Sequence, residues 1–97
     1  MVSLTEFKAS LAGAAPAATL SPPLAGLWWA GKGDWDRAHK IVQDDDTHEA
    51  AWVHAHLHRI EGDLGNASYW YRQARQPVAK DALDVEWERI TSALLGS

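Results

Sequence analysis

Two turn signals of the same build recur along this chain. Gly33-Asp34-Trp35-Asp36-Arg37-Ala38 and Gly62-Asp63-Leu64-Gly65-Asn66-Ala67 both read G-D-x-x-x-A, and from Gly33 to Gly62 the offset is 29 residues. In each, the glycine ends one helical stretch and the aspartate can cap the next. The alanine falls one turn into that next helix, where a small side chain lets two helices approach closely. Apolar residues on both sides of each turn keep a helical period, as Leu24, Leu27 and Trp28 do before the first and Trp35, Ala38 and Val42 after it. No stretch alternates with period two, which argues against a sheet. The expectation is an all-α chain of five to six helices forming one domain over residues 1–97. Two helix-turn-helix units over 21–77 are flanked by an N-terminal helix and linker (1–20) and a C-terminal helix (78–97).

The boundaries follow from local chemistry. Ser3 and Glu6 make a capping-box pattern ahead of Leu4, Phe7 and Leu11, which predicts a first helix over 4–12. Gly13 to Leu20 is a small-residue linker containing Pro16. Ser21-Pro22-Pro23 opens the second helix with proline where its missing N–H costs nothing. The acidic run Asp44-Asp45-Asp46 reads as helix-start chemistry rather than a metal site, with Asp46 and Glu49 as a second capping box. The fourth helix, 47–61, carries Ala50, Val53, Leu57 and Ile60 on one stripe. The fifth, to about Arg75, carries Leu64, Ala67, Tyr71 and Ala74. The last, 78–95, carries Leu83, Trp87, Ile90 and Leu94.

The chain has no cysteine, which removes disulfides, thiolate metal sites and cysteine nucleophiles. A net charge of −4 with scattered Lys and Arg argues against nucleic acid. The uncharged stretch from Ala9 to Gly31 is broken by Pro16, Pro22 and Pro23 and has no basic segment before it, so neither a membrane span nor a signal peptide is expected. The expected location is the cytoplasm of a bacterium. Six tryptophans in 97 residues are an excess that suits either a core or a binding surface.

At the two G-D turns the chain resembles the tetratricopeptide and Sel1-like repeat families. Gly26, Trp29, Gly33 and Ala38 fit that pattern in the first unit, and Ala55, Gly62, Ala67, Tyr71 and Ala74 fit it in the second. The resemblance covers residues 24–77 and departs in period, since tetratricopeptide repeats recur at about 34 residues. It implies a helical scaffold that binds a protein partner. The segment from Trp52 to Tyr71 is also similar to one carried by a group of small bacterial proteins, a resemblance that supplies no activity.

The densest chemistry lies on the fourth helix. His54, His56 and His58 alternate, but at about 100° per residue His54, His58 and Glu61 share one edge while His56 turns away with Trp52 and Arg59. Neutral imidazoles and a carboxylate at this spacing are candidate ligands for a divalent metal, with His39 as a further one. The plainer alternative has His54 and His58 as boundary residues hydrogen-bonded to Glu61, Asn66 or a tyrosine. Asn66, Tyr69 and Arg72 complete a candidate ligand-binding surface. Trp52, Tyr69 and Arg72 are the candidate interface, because exposed aromatics beside arginine are typical of contact surfaces. Trp70 and Tyr71 are expected to face the core. These features order the functional expectations. A module binding a protein partner or a second copy of itself comes first. A small metal- or ligand-dependent enzyme using His54, His58 and Glu61 comes second, and an interface switched by histidine charge near pH 6 third.

Overall fold

Four helices of this protein begin where a side chain, that of Ser3, Asp34, Thr47 or Asp63, accepts from a free amide of the first turn. The computed structural model describes residues 2–96 and has six helices: α1 (Leu4–Ser10), α2 (Pro22–Gly31), α3 (Trp35–Gln43), α4 (His48–Ile60), α5 (Leu64–Ala74) and α6 (Leu83–Gly96). The Ser3–Glu6 capping box forms as both reciprocal hydrogen bonds. Asp34 and Asp63 cap α3 and α5 by accepting from the Arg37 and Asn66 amides.

The two G-D turns match bond for bond. Gly33 and Gly62 take φ of 82° and 81°, the left-handed region that favours glycine. The Asp34 amide donates to the Trp29 carbonyl as the Asp63 amide does to that of His58, each at 2.9 Å. The resulting hairpins, α2–α3 and α4–α5, pack against each other through α3 and α4, and α6 closes over α4, α2 and α1. Ala38 and Ala67, one turn past the glycines, are both buried. Gly26 marks another close approach, since a Cβ there would lie 2.8 Å from Val42 Cγ1.

One apolar cluster draws on five helices: Phe7, Leu27, Trp28, Val42, Val53, Leu57, Trp87 and Ile90 are among its buried members. A smaller one, Ala55, Ala67 and Tyr71, lies between α4 and α5. No described helix is long and apolar enough to cross a membrane.

Several local expectations are corrected. The cap of α4 is Thr47, whose hydroxyl accepts from the Ala50 amide, while Asp45 braces the Thr47 amide; the Asp46–Glu49 box is not used. The first helix ends at Ser10, where the hydroxyl turns back onto the Phe7 carbonyl and receives the Trp28 indole N–H. The last begins at Leu83 rather than Val78, because Arg59 and Arg89 bind the Asp81 carbonyl and carboxylate and hold that segment out of helix. Ile60, Leu64 and Leu83, placed on apolar stripes by periodicity, lie at helix ends and are exposed.

Candidate metal centre

The α3–α4 packing places His39 against the α4 edge that carries His54 and His58. One imidazole nitrogen from each ring lies within 4.8 Å of the other two. The Nε2 atoms of His39 and His54 are 3.0 Å apart. His54 and His58 are buried and His39 is half-buried.

Aromatic packing fixes the rings. The Trp35 indole stacks on His39 with centroids 4.7 Å apart, and its Nε1 is tied to the Leu57 carbonyl at 2.6 Å. Trp70 stacks on His54 at 3.9 Å. Trp70 is half-buried, packed against the smaller apolar cluster and forming one wall of the histidine cluster. His58 donates or accepts at Nδ1 with Glu61 Oε1 at 2.6 Å, and with Glu61 ionised the proton is on His58. That contact leaves the His58 Nε2 lone pair for other use.

The surroundings favour the neutral form of His54 and His39. Burial, reinforced by His39 and His58, lowers the His54 pKa to about 4. Burial and His58 lower that of His39, against a smaller opposing pull from Glu61 and Asp36. His54 Nδ1 is sealed from solvent without a hydrogen-bond partner.

Of the residues singled out in the sequence, His54 and His58 come together, but with His39 as the third nitrogen donor rather than Glu61. Glu61 lies two turns from His54 and orients His58 from behind. It also falls in a second cluster with His58 and Asp63, whose two acids are exposed. Asn66 is exposed and occupied with capping, its Nδ2 donating to Asp63 at 2.7 Å. Tyr69 and Arg72 are exposed on α5, with the guanidinium 6.0 Å from the Tyr69 ring centre. Trp52 is half-buried against both apolar clusters.

A second polar centre was not anticipated. Glu86 of α6 is wholly buried, yet it meets His56 Nδ1 at 2.7 Å, Arg59 at 2.8 Å and the Tyr71 hydroxyl. Burial alone would raise its pKa, but the bonds from His56 and Tyr71, helped by Arg59, hold it below the ordinary value. The turning-away of His56 and Arg59 was the one available signal, since two polar residues facing inward need a carboxylate opposite them.

Comparison with known proteins gives no match to any family model, curated protein or solved structure.

Proposed function

We propose that this protein binds one divalent transition-metal ion, zinc being the best chemical fit, through His39, His54 and His58. The observation that carries the reading is the convergence of three imidazole nitrogens within 4.8 Å of one another. Zinc–nitrogen bonds of about 2.0–2.1 Å in a tetrahedron put ligand nitrogens about 3.3 Å apart, so the 3.0 Å His39–His54 spacing needs little adjustment. Imidazole donors suit zinc, copper or nickel and disfavour magnesium or calcium. Glu61 behind His58 is the carboxylate partner that metal-bound histidines commonly have. Three protein ligands leave a fourth position for water or a substrate atom, which is the arrangement of catalytic rather than purely structural zinc.

Cobalt(II) added to the chelator-treated protein tests this. Tetrahedral coordination by three imidazoles gives an intense visible d–d spectrum that saturates at one ion per chain and is abolished in His39→Gln/His54→Gln. A spectrum no stronger than that of hydrated cobalt would remove the proposal.

A second reading keeps one observation in its favour. Tyr69 is 45% exposed beside Arg72 on the outer face of α5, a surface suited to a protein partner or a second copy of the chain. The matched G-D turns support a tetratricopeptide-like scaffold for it. Light scattering of wild type and Tyr69→Ala tests self-association, with a monomer in both cases counting against the homodimer.

A further inference from the structure

The alternation of histidines on α4 has a second consequence. His56 lies about 200° around the helix from His54 and His58, on the side facing α6 and away from the metal centre. It is 1% exposed, its Nδ1 is held by Glu86, and its Nε2 has no hydrogen-bond partner among the described residues. It nevertheless borders a cleft of about 430 Å³ between α1, α2, α4 and α6. That volume is in the range of small-molecule sites.

The cleft has an apolar body and an electron-rich lining. Trp87, Leu11 and Ile60 supply walls. The Trp87 indole is fixed by donating to the Leu27 carbonyl at 2.8 Å. Gly31 keeps the Trp87–Leu11 corner open, because a Cβ there would lie 3.0 Å from the indole and 3.1 Å from Leu11. At the rim Lys8 and Glu88 neutralise each other in a 3.0 Å ion pair. Among the described residues Asp84 has no cationic partner, its one side-chain bond there being to the Val85 amide. Inside, the Glu86 charge is already matched by Arg59. The His56 tautomer whose Nδ1–H faces Glu86 leaves an acceptor at Nε2, on a ring that lines the cleft.

We propose that this cleft binds a small apolar molecule carrying a protonated amine. Its hydrocarbon or aromatic body packs on Trp87, Leu11 and Ile60. Its ammonium donates to His56 Nε2 and is balanced by the Asp84 carboxylate. An anionic ligand would meet a lone pair and an unpaired carboxylate, so the site discriminates against carboxylates of the same shape.

Benzylamine titrated into the 97-residue protein, followed by the indole N–H resonances and tryptophan fluorescence, tests the assignment. The expected result is saturable binding that shifts Trp87, with benzoate and benzyl alcohol binding at least about tenfold more weakly, since a charged hydrogen bond is worth about 1.5–3 kcal/mol. Asp84→Asn, a change at an exposed residue, is expected to weaken benzylamine about tenfold, and His56→Gln to weaken it further. His54→Gln is expected to leave it unchanged, which separates this site from the metal centre. Equal binding of benzyl alcohol or benzoate, shifts that leave Trp87 untouched, or an Asp84→Asn variant that binds like wild type would overturn the proposal.

Discussion

The Nε2 atoms of His39 and His54 face each other at 3.0 Å across the α3–α4 contact, a hydrogen bond that requires at least one of the rings to be neutral. Two indoles and a third imidazole surround them, so charge on either ring is opposed by burial and by its neighbours. Packing and proton affinity are thus coupled in the middle of the fold.

That coupling predicts an acid-sensitive apo protein. The His54 pKa of about 4 lies below the ordinary 6.5, so as pH falls the unfolded chain binds the proton first. The stability from a neutral His54 is complete above pH 6.5 and is lost between pH 6.5 and about 4, roughly 3 kcal/mol in all. Denaturant unfolding of chelator-treated protein at pH 7 and 4.5 measures it. His54→Gln is expected to flatten this pH dependence; an unchanged slope in that variant would show that another group sets it.

In the proposed metal site Glu61 would act through His58. Glu61→Gln is expected to reduce zinc affinity by about 10–100-fold, the usual effect of removing a carboxylate partner from a ligating histidine. Unfolding of the metal-free form is expected to change little, because Glu61 is exposed. Competition with a chromophoric chelator gives the affinity, and wild-type affinity in the variant would remove Glu61 from the site.

The Glu86 network is structural, and its loss is expected to be costly. Glu86→Gln leaves the Arg59 charge without its carboxylate in a site where that side chain is only 13% exposed. The expected destabilisation is about 3–5 kcal/mol. Tyr71→Phe removes one donor and is expected to lose about 1–3 kcal/mol. Equilibrium urea unfolding checks both, and a smaller effect from Glu86→Gln than from Tyr71→Phe would contradict the assignment of Glu86 as the hub.

The matched turns make a paired prediction. A Cβ on Gly33 or Gly62 would meet nothing within 4 Å, so the effect of alanine there is purely conformational. Gly33→Ala and Gly62→Ala are each expected to destabilise by about 1–2 kcal/mol and to agree closely. Thermal melts compare them directly, and a marked difference would show that the two turns are not energetically equivalent.

Much of this was legible wherever the cause is local. The Ser3–Glu6 box, the Pro22 start and the Gly-Asp turns each act within a few residues, and they set most helix boundaries correctly. His54 and His58 were legible as one edge because helical geometry alone joins them. The choice of His39 over Glu61 as third donor was not, since it depends on how α3 crosses α4. Glu86 was hidden more deeply. In Asp84-Val85-Glu86-Trp87-Glu88 it looks like one of three solvated acids, and only His56, Arg59 and Tyr71, brought from two other helices, reveal it as buried. The stacking of Trp70 on His54 was hidden for the same reason, since the two rings belong to different helices.

Calorimetric titration of zinc into the chelator-treated 97-residue protein at pH 7 decides the metal assignment. The prediction is one ion per chain, with binding lost in His39→Gln/His54→Gln and retained in His48→Gln, whose imidazole is exposed at the start of α4 away from the cluster. No saturable binding, or equal binding by the wild type and the His39/His54 double variant, would contradict it.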